Sequence, residues 1–282
     1  MFSSKALEII KLAKSNGVGL GGFNFVNMEA LQAIVAAANE TDSPVMVQAS
    51  MGAIKYAGLN YIVDMVATAK KTSDVEIILH LDHGDYDNAR ACIEAGFDGV
   101  MFDGSALPDE ENVAKTAEIV EFAHSKGVFV EAEIGRIGGT EEHVSVSEEE
   151  ARYTQADEAA KFIEMTGADI LAIAIGTAHG VYHGVPKLRF DLIEEIAATL
   201  PNTPLVMHGS SGVPAQDVQQ AIRSGITKIN IDTDLRQAFT TSIRNTLNEN
   251  PQEIDLRKYL SPGKKAVKDV VVEKIKTFNF RD

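Results

Sequence analysis

The stretch Glu76–Asp103, EIILHLDHGDYDNARACIEAGFDGVMFD, decides how this chain is read. It opens on a short apolar run, Glu76–Leu81, with the length and composition of a strand. A helical pattern follows over Asp87–Ala95, and Gly96 stands where a helix stops. A second apolar run, Gly99–Phe102, comes next. Strand, helix and strand in this order make one unit of a parallel sheet. Both strands run into ionisable residues: His80-Leu81-Asp82-His83 closes the first and Asp103 the second.

The same unit recurs in both directions. Further strands are expected near Gly19–Phe25, Pro44–Gln48, Val128–Ile134, Ile170–Ile175, Leu205–Met207 and Lys228–Ile231. Helical patterns cover Glu29–Asn39, Glu110–Lys126, Asp157–Thr166, Asp191–Leu200 and Ala215–Ser224, with stops at Gly127, Gly167 and Gly225. About eight such units predict a closed α/β (β/α)8 TIM barrel. An open doubly wound sheet is disfavoured, because no Gly-x-Gly-x-x-Gly turn follows the first strand. Met1–Asn16 reads as an amphipathic first helix. The expectation is one barrel domain over 1–282, with 236–282 as a C-terminal helical extension. That basic tail carries Arg257, Lys258, Lys264 and Lys265, and is expected outside the barrel or on a partner subunit.

Composition sets the outer limits. A chain of 282 residues with 45% apolar side chains suits one large barrel. A formal charge of −15 argues against nucleic-acid binding, which needs a basic footprint. No apolar run approaches the ~20 residues of a membrane helix. Cys92 is the single cysteine, so no intrachain disulfide can form. Together these features predict a cytoplasmic protein.

Barrel chemistry sits at the C-terminal ends of the strands. Read there, the sequence offers Asn24, then Gln48 and Ser50, then His80, Asp82 and His83, then Asp103. Glu131 and Glu133 follow, then Thr177-Ala178-His179-Gly180, His208-Gly209-Ser210-Ser211-Gly212 and Asn230-Ile231-Asp232-Thr233. His83, His179 and His208 would share one rim and match the three protein ligands of a catalytic zinc site. Asp82 beside them would stay ionised and could act as a base. His80 reads as a buried hydrogen-bonding residue, and His124 and His143 as surface residues. The runs after the last two strands sit where barrels commonly hold a phosphate. Glu133–His143 is long, polar and carries Gly138-Gly139, which predicts a mobile loop that could bring Glu141 or Glu142 over the site.

Taken together, these motifs resemble class II fructose-bisphosphate aldolases and the closely related tagatose-bisphosphate aldolases, nearly end to end. The carrying segments are His80–His83, Phe102–Ser105, Glu131–Gly135 with Gly138-Gly139, Gly176–Gly180, His208–Gly212 and Asn230–Asp234. The resemblance implies zinc on His83, His179 and His208, with Asp103 and Glu133 at a secondary metal position or supporting the ligands. A second divalent or a monovalent cation is also implied. Asp82 and Glu141 would be the catalytic acid/base pair. Gly180, Gly209, Ser211, Asn230, Asp232 and Thr233 would bind dihydroxyacetone phosphate, and Asn24 and Ser50 the substrate chain. Arg257 resembles an arginine that crosses a dimer interface to the second phosphate. The chain departs from the family at His183, where many members have Lys, and at Thr140, where many have an acidic residue or Gln. Asn230–Asp234 is more similar to the fructose group than to the tagatose group.

The implied reaction is reversible, zinc-dependent cleavage of fructose 1,6-bisphosphate in glycolysis and gluconeogenesis. The implied assembly is a homodimer or homotetramer. The rivals are an aldolase for tagatose 1,6-bisphosphate or a related ketose phosphate, a non-catalytic partner subunit of an aldolase, and a metal-dependent barrel hydrolase.

Overall fold

The computed structural model describes residues 2–141, 144–146, 151–182, 184 and 186–281. Its elements in chain order are α1 (Lys5–Ser15), β1 (Leu20–Asn24), α2 (Met28–Glu40), β2 (Val45–Ser50), α3 (Met51–Ala57) and α4 (Leu59–Thr72). Next come β3 (Ile77–Gly84), α5 (Tyr86–Ala95), β4 (Gly99–Phe102), α6 (Asp109–Ser125), β5 (Phe129–Ile134), β6 (Gly138–Glu141) and β7 (Val144–Val146). The chain continues through α7 (Ala156–Thr166), β8 (Ile170–Ile173), β9 (Ala178–His179), α8 (Phe190–Thr199) and β10 (Leu205–Met207). It ends with α9 (Ala215–Ser224), β11 (Ile226–Ile231), α10 (Thr233–Glu249) and α11 (Leu256–Phe278).

Eight parallel strands close into a barrel in the order β1-β2-β3-β4-β5-β8-β10-β11 and back to β1. This is the (β/α)8 TIM barrel expected from the repeated unit, and the observed strands coincide with the apolar runs to within a few residues. Helices α5, α7 and α9 end on Gly96, Gly167 and Gly225 as predicted.

The strand period of two sorts the barrel interior into layers. At the bottom, Leu20, Met46, Ile78, Phe129, Ala172 and Val206 pack with Leu7 and Ile10 of α1. The amphipathic N-terminal helix therefore plugs the N-terminal mouth. Two residues further along, Met46, Ile78, Phe129 and Val206 give way to Gln48, His80, Glu131 and His208, all fully buried. Two further still come Ser50, Asp82 and Glu133. The core is thus apolar below and polar above, with the change made inside single strands.

The tail is built into the wall. Helix α11 packs against α2, α9 and β1 as well as α10. It buries Val267, Val271, Ile275 and Phe278. Its last turn accepts the Gly19 amide at Phe278 O, 2.9 Å away. Helix α10 lies outside it and buries Leu235.

Part of one expected loop forms strands. Strand β6 pairs antiparallel with β7 and parallel with β9, matching Gly138 to Ala178 and Gly139 to His179. A Cβ on Gly139 would stand 2.3 Å from the His179 carbonyl oxygen, and its φ is +97°. Glycine is required for so close an approach. Glu141 closes β6, while Glu142, His143 and His183 fall outside the described residues. Among the described residues no helix is long and apolar enough to cross a membrane.

Candidate active site at the C-terminal rim

Strand alternation would send Asp82 and His83 to opposite faces of β3. His83 instead adopts φ +50°, and the β3–β4 register shifts between Leu81 and Gly84. This left-handed residue breaks the alternation, so both side chains enter the rim. Such a backbone costs about 1–3 kcal/mol and is held only where the surroundings fix it.

Three imidazoles converge there. His83, His179 and His208 each offer a nitrogen within 4.8 Å of the other two, and all three are buried. Carboxylates behind His83 and His208 set the orientation of those two rings. His83 Nδ1 lies 2.9 Å from Asp103 Oδ2, which turns Nε2 inward, 2.9 Å from His208 Nδ1. His208 Nε2 lies 2.8 Å from Glu131 Oε1. Lys228 Nζ donates to Glu131 Oε2 at 2.6 Å. Carboxylates behind metal-binding histidines fix the ring and its tautomer in this way. His83, Asp103 and Glu133 form a second convergent group.

The charges are strongly interdependent. Burial opposes a proton on His83, but the Asp103 hydrogen bond and the Asp82, Asp103 and Glu133 carboxylates raise it well above the usual imidazole range. Burial and the His83 and His208 rings hold His179 well below it. Burial also keeps His208 low, opposed by its Glu131 bond. His80, buried and facing Lys228, falls to about 3. Burial works against the Asp103 carboxylate, yet its bonds to His83 and Ser105 keep it ionised. Glu133 is raised by burial and by the Asp103 charge. Its Oε2 is buried with no hydrogen-bond partner among the described residues.

Asp82 sits beside the imidazoles and is held by two amides. Asn24 Nδ2 donates to its Oδ2 at 2.8 Å and Asn230 Nδ2 to its Oδ1 at 3.0 Å. Gln48 Nε2 in turn holds Asn24 Oδ1 at 2.9 Å. Burial disfavours the Asp82 anion, but the His83, His208 and Lys228 charges and the Asn24 bond carry it below the ordinary carboxylate range. An ionised, oriented carboxylate beside three imidazoles can take a proton from a substrate hydroxyl.

Two hollows flank Asp82. One small hollow is lined by His179, Gly180, Gly209, Ser210, Ser211, Asn230, Asp232 and Thr233. It lies at the N-terminus of α10, where Ser211 Oγ accepts the Asp232 and Asp234 amides at 3.3 and 3.2 Å. Backbone amides at a helix N-terminus, together with the helix dipole, suit an anion. The other is a cleft of about 480 Å³ that begins at Asn24 and Ser50 and runs to Phe239 and Val267. Arg236 lines it and pairs with Asp232 through Nε at 2.8 Å and Nη2 at 2.6 Å.

The structure therefore gathers the sequence-predicted residues into one rim. Arg257 is the exception among described side chains: it lies in the first turn of α11, pairs with Asp255 and lines neither hollow. Glu141 is placed by its backbone at the end of β6. His124, expected at the surface, is half-buried, hydrogen-bonded to Asp169 at 2.9 Å and stacked on Phe2. Lys228 and Arg236 escape the reading of strand ends. The signal for Lys228 was present, since it shares the parity of Asn230 and Asp232 on one strand. Arg236 lies four residues beyond Asp232, one helical turn on.

Fold and rim define a protein of the (β/α)8 barrel class, with three convergent histidines that could hold a metal ion and two hollows beside them. The profile of the family Fructose-bisphosphate aldolase class-II matches residues 4–282. The fructose-bisphosphate aldolase of Thermus caldophilus is 44% identical, over 96% of both chains. The sulfofructosephosphate aldolase of Alkalicoccus urumqiensis is also 44% identical, over 96% of this chain and 94% of that one. The solved YdjI aldolase of Escherichia coli K12 superposes with a TM-score of 0.85 at 34% identity, covering 98% of this chain and 97% of the other. The chain belongs to the class II fructose-bisphosphate aldolase family and is an aldehyde-lyase of that class.

Proposed function

We propose that the chain cleaves fructose 1,6-bisphosphate reversibly into dihydroxyacetone phosphate and glyceraldehyde 3-phosphate, with zinc as its catalytic ion. The observation that carries this reading is the buried cluster of three convergent imidazoles with the held Asp82 carboxylate at its edge. Three imidazole nitrogen donors suit zinc with a position left open for substrate, the ion displacing the proton on His83. His83, His179 and His208 would hold the ion. When bound, it polarises the ketose carbonyl and offsets the charge that develops on its oxygen.

The chain's own residues do the rest. The hollow at Gly180, Gly209, Ser211 and Thr233 receives the phosphate of the ketose half through amides and hydroxyls. Asn24 and Ser50 lie along the aldehyde half, and Arg236 faces its terminal phosphate. Asp82 Oδ accepts the proton of the C4 hydroxyl as the C3–C4 bond breaks. Asn24 and Asn230 keep that carboxylate aimed. Glu141 returns a proton to C3 of the ketose half. Asp103 and Glu131 fix the rings of His83 and His208. Asp103 with Glu133 would serve a second cation.

A relative that acts on a sulfofructose phosphate is as similar as the fructose-bisphosphate enzymes. The test therefore compares cleavage of fructose 1,6-bisphosphate, tagatose 1,6-bisphosphate and sulfofructose phosphate, each with chelator and with zinc restored. Preference for fructose, lost with chelator and regained with zinc, is the expected result. Preference for another sugar moves the substrate within the family, and cleavage that survives the chelator removes zinc from the reading.

A further inference from the structure

The anion hollow contains no lysine or arginine among its described lining residues, and it contains the Asp232 carboxylate. The chain as a whole carries −15. Anion binding there depends on where amides and hydroxyls point, and so on how two loops sit against each other. One loop follows β8 and carries Ala178, His179 and Gly180. The other follows β10 and carries Gly209 to Gly212.

Tyr182 ties these loops together. Its hydroxyl oxygen accepts the Ala178 amide at 2.7 Å and its proton goes to the Gly209 carbonyl at 2.8 Å. The first bond lands on the residue before His179, the second on the residue after His208. The loops meet backbone to backbone: a Cβ on Gly209, whose φ is +61°, would stand 2.4 Å from Ala178 O. The Tyr182 ring is half-buried against the core, which leaves the hydroxyl little freedom to turn elsewhere.

We propose that the Tyr182 hydroxyl is a positioning residue for the phosphate end of the substrate, fixing the two loops so that their amides converge on one anion. The inference rests on the aldolase reading for its substrate, while the loop geometry stands apart from it. Tyr182 does not touch the reacting atoms and acts through Ala178 and Gly209.

The test is Tyr182→Phe, which removes one oxygen and keeps the ring. Four quantities are measured on the zinc-loaded full chain and its wild type. They are kcat and KM for the cleaved sugar, inorganic phosphate affinity by phosphorus NMR titration, zinc affinity by chelator competition, and the melting curve. Loss of two hydrogen bonds to main chain predicts KM raised about tenfold and phosphate affinity weakened by about the same factor. Zinc affinity and kcat should stay within about threefold. Unchanged KM and phosphate affinity would overturn the proposal. So would a loss of zinc affinity with phosphate binding intact, which would assign Tyr182 to the histidines instead. The phosphate titration needs no turnover, so its outcome is separate from the identity of the sugar.

Discussion

Lys228 Nζ and Glu131 Oε2 stand 2.6 Å apart inside the barrel, with both side chains fully buried. The other oxygen of Glu131 holds His208. A buried ion pair is poor evidence of net stability, because desolvation offsets attraction. Removing one partner is another matter, since it strands a charge. Lys228→Met is expected to destabilise the metal-free chain by about 3–5 kcal/mol. Zinc affinity should fall about 10- to 100-fold as Glu131 loses its anchor. Adding Glu131→Gln should restore part of both losses. Urea unfolding and chelator competition measure them, and a neutral Lys228→Met would show that Glu131 needs no counter-charge.

Asp82 is aimed by Asn24 and Asn230 and lies outside the imidazole triad. Asp82→Ala should therefore lower kcat by about 10²–10⁴ while zinc stays bound. Asn24→Ala should lower it less, because one amide remains. Stopped-time assays with metal analysis separate the two effects. Metal lost together with turnover would place Asp82 among the ligands.

The His83–Asp103 contact gives a pH dependence. In the metal-free chain the folded His83 titrates above its unfolded value of about 6.5. Its contribution to stability is present in full below that pH and is lost as pH rises through the raised value. Asp103 is depressed, so its contribution is present above the ordinary carboxylate range and is lost only in strong acid. An ion on His83 must displace the proton. Zinc affinity should climb as pH rises through the ordinary imidazole range and on to the raised His83 value, with proton release. Calorimetry in two buffers would detect it; affinity flat across that window would remove His83 as a protonated ligand.

Arg236 lines the cleft beyond Asn24, whereas Arg257 is turned to solvent with Asp255. Arg236→Ala should raise KM for a bisphosphate about tenfold or more and leave a monophosphate ketose less affected. In a dimer, Arg257→Ala tests whether the tail reaches a neighbouring site. If only the Arg257 variant raises KM, the second phosphate is bound by that residue.

Cys92 is buried in α5, and burial with the nearby Asp85 charge pushes its thiol to about 12. Its thiolate is scarce near neutral pH, so alkylating reagents should modify it only as the chain unfolds. Rapid modification of the native protein would contradict that burial.

The barrel was legible because each β/α unit writes its own boundaries: an apolar run, then an amphipathic helix, closed in several units by a glycine stop. The strand ends were legible for a related reason. Buried polar groups are costly, so Asp82, His179 and His208 at the ends of apolar runs mark a site. Lys228 went unread although its parity with Asn230 pointed inward, because a lysine at the start of a strand looks like a solvated one. The His208–Glu131 and His83–Asp103 pairings join residues 77 and 20 positions apart, and no local pattern encodes them.

The sequence by itself determined the order of strands and helices, the amphipathic helix at the N-terminus and the residue types that reach the rim. These follow from local periodicity and from the cost of burying polar groups. The tertiary structure alone decided how those residues face one another. His83 enters the rim because its backbone turns left-handed against the alternation of β3. Tyr182 joins two loops because barrel closure brings β8 and β10 side by side. Helix α11 fills the wall between α2 and α9 because the chain folds back on itself beyond α10. Each depends on contacts made only when the barrel closes, and a linear pattern carries no distance across it.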